Sequence, residues 1–438
     1  MSETDAGKLS PKNRNDGNVG RRTFLKATGV SAGAAALAGC TDTIGGGGDG
    51  GIPDTIRLGA LGPADSPMGD SILKSAELAV EEINDDGGIA GADVTLSTKD
   101  TKDDPGTTRS GYQELTTGEN VHATVGIFGS ENLLSIMGNI SNAQTVHMTA
   151  GAATPEAPAR VADDFEANKY WFRVGPVNAD YLQQSMIDYA SARFDTMGWD
   201  TVAVIAEDYV WTEPITDSIE QRLEEEVGVE VTSVQRIAEG TEDFTPIYDQ
   251  LESAGVDGAF TALAHIGTTS LVQWAQQQRP FGYGGIHVPT QLPSFWDATS
   301  GACISTFSQT TATADSEITE KTVPYADAYA EKYDGALPVY TGYSAYDAVY
   351  MLKDAIESGE SVDSDTIVSE LESMTFTGTS GTLEFFGEDG DYPHDIKYGE
   401  EYTRGVYFQW QPEGESGTQS VVWPDEHQQS EYQAPPWQ

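Results

Sequence analysis

Residues 55–84 read TIRLGALGPADSPMGDSILKSAELAVEEIN. The opening TIRLGALGP alternates apolar with small or polar residues and stops at Gly62-Pro63, which predicts a β-strand. The closing SILKSAELAVEEIN puts Ile72, Leu73, Ala76, Ala79, Val80 and Ile83 on one face of a helix. A strand leading into an amphipathic helix is half of a βαβ unit, and the chain repeats it. GGIAGADVTLSTKDT (87–101) reads as a turn and a strand, TTRSGYQELTTGEN (107–120) as a helix, and VHATVGIFG (121–129) as a strand. SENLLSIMGNISNA (130–143) is then a helix and residues 146–153 a strand. This rhythm predicts a parallel, doubly wound sheet.

The rhythm restarts downstream. YWFRVGP (170–176) is a strand leading out of the first unit. TVAVIAED (201–208), EVTSVQRIAEG (230–240), VDGAFTALA (256–264) and GGIHVPT (284–290) read as strands. Helices at 212–228, 244–255 and 268–278 separate them, and two more follow at 322–335 and 340–359, the second rich in tyrosine. GTLEFF (381–386) and GVYFQWQ (405–411) are short strands, and the Pro- and Gln-rich end reads as a frayed tail. The expected fold class is α/β, with two doubly wound parallel-sheet lobes. The 399 residues from Cys40 onward are too many for one core.

Charge divides the chain differently. The first 40 residues carry six basic and three acidic side chains, and the other 398 carry 17 basic and 67 acidic ones. Two regions of opposite sign usually do different jobs. In the first, Arg21-Arg22 precedes Phe24-Leu25-Lys26 and a weakly apolar run at 27–38. That run is too short to span a bilayer, which takes about 20 residues. Arg-Arg-x-Phe-Leu-Lys resembles a twin-arginine export signal, and Leu37-Ala38-Gly39-Cys40 resembles a lipobox. Residues 1–39 are therefore expected to be a signal and Cys40 the lipidated first residue of the mature protein. Residues 40–53, with Gly45 to Gly48 and Gly50-Gly51, form a flexible tether with a reach of about 20 Å. The expected location is the extracellular face of the cell membrane.

The acidic remainder repels nucleic acid and itself. Near 1 M salt the Debye length falls to about 3 Å and the self-repulsion is screened. Abundant acid with scarce lysine fits a halophile. Cys303 is the only cysteine after Cys40, so no internal disulfide forms in the mature chain.

Chemistry is sparse. His122, His147, His265, His287, His394 and His427 are scattered, with no pair at metal-ligand spacing. No Walker loop or G-x-G-x-x-G is present. No cofactor or metal is expected. Gly69-Asp70-Ser71-Ile72-Leu73 looks like the motif of a hydrolase family, for which Asp391 and His394 would complete a triad. The alternative is that Asp70 or Ser71 caps the helix that follows. Ligands of open α/β sheets bind beyond the carboxyl ends of strands. Gly129-Ser130 opens a helix at one such end, where free N–H groups attract an anion. Gly151, Ala152, Ala153 and Thr154 form a small-residue loop at another, where a ligand can reach backbone.

Residues 56–100, with GIFGSE (126–131) and GAATPE (151–156), resemble the branched-chain amino-acid (Leu/Ile/Val) binding proteins of ABC transporters. The run Glu81-Glu82-Ile83-Asn84-x-x-Gly87-Gly88-Ile89-x-Gly91 is its most specific part. The resemblance implies a type I periplasmic-binding-protein fold: two lobes joined by three crossovers, no enzymatic activity, and in the cleft a small polar ligand, an amino acid of branched-chain type. Lobe 1 is then expected at 54–176 and 308–376, lobe 2 at 177–307 and 377–425, and a tail at 426–438. It implies that Ser130 binds the ligand carboxylate and that Ala152, Ala153 and Thr154 line the loop. It also implies an aromatic at Tyr209 or Trp211. His265 stands where the family often has tyrosine, and Gln291 where it has an acid that grips the ligand amine. An amino-acid ligand would then need another acid, such as Asp65, Glu207 or Asp208, whereas a short amide or urea would suit Gln291. The implied partners are ABC permease subunits and the membrane, reached through the lipid, with the protein itself a monomer. A chemotaxis or sensory receptor subunit has the same fold and stays open as an alternative.

Two outcomes are expected from the sequence. Cys40→Ser should release the protein into the medium or leave it unprocessed, as fractionation and the mass of the N-terminal peptide will show. The melting temperature should rise steeply from low to multimolar NaCl as screening removes self-repulsion.

Overall fold

The computed structural model describes residues 51–438; the signal, Cys40 and most of the tether lie outside them. The first sheet contains β1 (Thr55–Gly62), β2 (Asp93–Asp100), β3 (Ala123–Gly126), β4 (Val146–Thr149) and β5 (Trp171–Arg173) in the order β2-β1-β3-β4-β5. All its pairings are parallel. Every residue of β3 and β4 is buried, as expected of strands covered by helices on both faces.

The second sheet begins with β6 (Thr201–Glu207), β7 (Glu230–Ile237), β8 (Gly258–Leu263), β9 (Gly282–His287) and β10 (Phe307–Thr310). A small hairpin, β11 (Thr375–Thr377) and β12 (Thr382–Glu384), stands apart. Strands β13 (Val406–Glu413) and β14 (Ser416–Trp423) complete the larger sheet in the order β14-β13-β10-β9-β8-β6-β7. Its strands are parallel from β7 to β10, whereas β13 and β14 run antiparallel. The α/β class and the parallel sheets are as the rhythm implied. Each sheet reverses its strand order once, between β1 and β3 and between β6 and β8, and such switch points are where open α/β sheets leave a crevice.

Several details differ from the sequence reading. The first helix begins at Pro67, not after Asp70, and its N-cap residue Ser66 makes no side-chain capping bond. Proline suits a first helical position because its missing N–H would be unpaired there anyway. The helix Ala179–Met197 escapes a periodicity search because its buried positions are not one stripe; Leu182, Gln183, Ser185, Met186, Ile187 and Tyr189 are all buried. Strand β10 belongs to the larger sheet, so a lobe boundary at 307/308 cuts through a strand and the return comes after Thr310. The tail is not frayed. Gln433 donates its N–H to Gln409 Oε1 at 2.8 Å. Trp437 packs edge-on against Trp274 and donates Nε1–H to the Arg279 carbonyl at 3.0 Å.

Three segments pass between the sheets, and one buried ion pair ties the first to the last. Arg173 ends β5 fully buried, with Nη1 3.5 Å from Asp395 Oδ2. Its Nη2 donates to the Thr154 carbonyl at 2.6 Å. Asp395, in the last crossing segment, accepts from Asn178 Nδ2 at 3.1 Å. Asn178 in turn caps the helix Ala179–Met197 through the Tyr181 N–H. Burial pushes the Asp395 carboxyl up to about 6 against the pull of Arg173. Beside the pair, His394 stacks on Phe172 at 4.0 Å.

Removing one member strands the other without water or counter-charge. Asp395→Ala is expected to cost about 3–5 kcal/mol, read as a shift in the denaturation midpoint at constant high salt.

Candidate functional site

Strand β3 ends in Gly126, whose φ of 124° no side chain tolerates well; an added Cβ would meet the Leu61 carbonyl oxygen at 2.1 Å. Ile127 follows in the left-handed region at φ 72°, local strain of the sort stored at functional loops. This turn delivers Phe128, Gly129 and Ser130 to a cavity between the lobes. Ser130 is the first residue of the helix Ser130–Ala143 and is buried, and its Oγ has no partner among the described residues. The helix start adds unpaired N–H groups and the positive end of the helix dipole.

After β4, Gly151 and Ala153 reach the same cavity. Gly151 is small for a packing reason: a Cβ there would press on Phe128 Cα and the Ile127 carbonyl oxygen, both at 2.9 Å. Its carbonyl accepts from Tyr340 Oη at 3.2 Å, and Tyr340, at the start of the helix Tyr340–Gly359, is another wall. Ala152 and Thr154 are buried behind the lining. Thr154 Oγ1 accepts from the Glu156 N–H at 3.2 Å, a local turn bond.

Lobe 2 contributes Trp211, His265, Ile286, Val288 and Gln291. Tyr209 is not a wall; it stacks flat on His265 with ring centroids 4.1 Å apart. Gln291 lies on the turn Val288–Gln291 after β9, and its Nε2 donates to the Gln309 carbonyl at 3.0 Å. That bond fixes the amide orientation and leaves Oε1 as a buried acceptor with no partner among the described residues. Nearby His287 is buried with both ring nitrogens unpartnered, and burial pushes it down to about 4, so it stays neutral.

Behind His265 stands Glu207, the last residue of β6, with no exposed surface. Its Oε1 accepts from His265 Nδ1 and Trp211 Nε1, both at 2.7 Å. Its Oε2 accepts from the N–H groups of Ala264 at 2.9 Å and His265 at 2.7 Å. Burial alone would raise the Glu207 carboxyl, but His265 and the other donors outweigh it and leave it lowered. Burial would likewise lower His265, yet Glu207 holds it above its ordinary value.

The three acids named for a ligand amine are elsewhere engaged or absent from the walls. Glu207 is saturated, Asp208 pairs with Arg236 at 2.7 Å, and Asp65 is exposed. The hydrolase constellation is not assembled. Ser71 is buried in a helix and accepts the Val339 N–H, while the His394 ring nitrogens face Glu372 and the Trp171 carbonyl. No metal-holding cluster of His, Cys, Asp or Glu occurs among the described residues.

The lobes touch across the cavity mouth. Phe128 meets His265 with ring centroids 5.2 Å apart, and the Val210 N–H donates to Glu131 Oε1 at 3.2 Å. About 40 Å³ is open to the centres of water-sized molecules. With a water radius added all round, a compact cavity of this size is roughly a 180 Å³ hole, room for about ten non-hydrogen atoms. Sequence reasoning missed Phe128, Tyr340 and Glu207's supporting role. Only Glu207 carried a signal: an acid closing the apolar run VAVIA at the carboxyl end of a strand.

The sequence profile of the family described as periplasmic binding protein matches residues 55–400. The leucine-, isoleucine-, valine-, threonine- and alanine-binding protein of Pseudomonas aeruginosa is 24% identical over 352 residues, covering 77% of this chain and 87% of that protein. A branched-chain amino acid transporter substrate-binding protein of Streptococcus pneumoniae, solved with isoleucine, superposes with a TM-score of 0.69 at 18% identity, covering 84% of this chain and all of that one. A solute-binding protein of an ABC transporter from Rhodopseudomonas palustris, solved with 3,4-dihydroxybenzoic acid, gives 0.71 at 16%, covering 84% and 96%.

Proposed function

We propose a function from one premise: the chain belongs to the periplasmic binding protein family. Proteins of this family work outside the cytoplasm as binding proteins of ABC transporters, and the relatives are binders, not enzymes. In our reading this chain is a receptor anchored by a lipid on Cys40 that closes its two lobes on a small carboxylate-bearing ligand and hands it to a permease. Closure buries the ligand and changes the surface offered to the membrane partner, a hinge motion about the crossing segments.

The observation that carries this reading is the cavity itself. It sits at the carboxyl ends of the parallel strands of both sheets, has room for about ten non-hydrogen atoms, and is lined by Ser130 at a helix start and by Gln291, whose buried Oε1 has no partner among the described residues. Its remaining walls, including Phe128, Trp211, Ile286 and Val288, suit a compact apolar body. The isoleucine and dihydroxybenzoate bound by the two solved proteins share a carboxylate and such a body.

A ligand that binds only the folded state raises the melting temperature with concentration. A thermal-shift screen of small carboxylates, amino acids and amides in multimolar NaCl tests the reading. No shift with any of them would refute it. For a ligand found this way, Ser130→Ala removes a hydrogen bond to a charged group. By titration calorimetry it should weaken binding by about 1.5–3 kcal/mol, roughly 10- to 150-fold.

A further inference from the structure

We propose that the cleft selects small monocarboxylates that lack an α-ammonium group, with Glu207 as the positioning residue that holds His265 in the wall as the ligand's counter-charge. This rests on the cavity being the ligand site.

The argument starts from what an ammonium would meet. It brings a full positive charge and three donors, and buried without an acid it is costly. No carboxylate is among the walls. Glu207 is within reach of His265 but has both oxygens filled by four donors. To accept an ammonium it would have to release its bond to His265 or to a backbone N–H. Glu131 sits at the rim, half-buried, accepting the Val210 N–H.

The wall the ligand does meet favours an anion. His265 Nδ1 is fixed on Glu207, which leaves Nε2 free of that bond, and the ring is part of the lining. Ser130 and its helix start face the same space. Gln291 lines the cavity, and its Oε1 is buried and unpaired among the described residues. It calls for one neutral donor on the ligand, an O–H or an uncharged N–H. A carboxylate with a hydroxyl satisfies both ends, and an α-amino acid satisfies only one.

The groups that bear on the charge of His265 are few. Glu207 dominates, and Asp103 and Glu131 across the cleft act in the same direction. Tyr209 stacks on the ring, and the Tyr340 phenol and neutral His287 lie near Glu207. Burial lowers His265, but Glu207 outweighs it and holds the ring above its usual value, so it keeps its charge to higher pH than a free imidazole and loses it as pH rises through its folded value. Carboxylate affinity should fall over that same interval.

The test is a matched set on the unmodified chain in multimolar NaCl, by titration calorimetry. L-leucine and 2-hydroxy-4-methylpentanoate share a nine-atom size and differ in ammonium against hydroxyl; 4-methylpentanoate and leucinamide complete the set. The hydroxy acid should bind at least roughly ten-fold tighter than leucine, and its affinity should fall as pH rises above 6.5. In Glu207→Gln that fall should move to lower pH, a shift that a merely structural role would not produce. Leucine binding tighter than its hydroxy analogue, binding of leucinamide alone, or a flat pH profile overturns the proposal and leaves the cavity as the ligand site. Binding of none of the four, with no shift in the wider screen, overturns both. If Glu207→Gln does not fold, the leucine and hydroxy-acid pair on the unmodified chain decides alone.

Discussion

A guanidinium and a carboxylate, both without solvent exposure, face each other where the chain crosses between its two sheets. Arg173 belongs to β5 and Asp395 to the last crossing segment. Through them the Thr154 carbonyl, beside the cavity loop, is linked to Asn178 at the start of a lobe 2 helix. Burying two charges is expensive, and an apolar pair would often serve stability as well. What the ion pair adds is direction. Arg173 holds the Thr154 carbonyl and Asp395 holds Asn178, so the first and last crossing segments are fixed to each other beside the cavity loop.

The interior treats negative charge sparingly. Among the described residues only Glu207, Asp347 and Asp395 are buried acids. Asp347 accepts from the N–H and hydroxyl of Thr379, and burial still pushes it up to about 7. Asp395 faces Arg173, and Glu207 is surrounded by donors. All other acids stay partly or fully in water, which keeps their desolvation cost low but leaves their mutual repulsion to the solvent. The result is a surface dense in carboxylates around a core that admits them only with dedicated partners.

The cleft follows the same logic at closer range. Glu207 and Gln291 stand on opposite sides of an electrostatic choice. One is a carboxylate whose four bonds turn its charge inward, toward His265. The other is an amide whose nitrogen is fixed on Gln309 and whose buried oxygen has no partner among the described residues. Walls of Phe128, Trp211, Ile286 and Val288 exclude water and strengthen whatever polar contacts remain.

The sequence by itself determined the two α/β lobes, because strand and helix periodicities record which local faces are buried, and TIRLGALGP and SENLLSIMGNISNA carry those periods clearly. It also determined the acidic surface, and it pointed to Ser130 and Gly151, since strand ends are where crevices form. Tertiary structure alone decided that Ala152, Thr154 and Tyr209 stand behind the walls, that Tyr340 is one of them, and that the tail packs on lobe 2. It alone decided what Glu207 does, because its partner His265 lies 58 residues away on another strand's end. Periodicity reports burial along one element. Which donor meets which acceptor across elements depends on the crossing geometry, and no local pattern of residues encodes that.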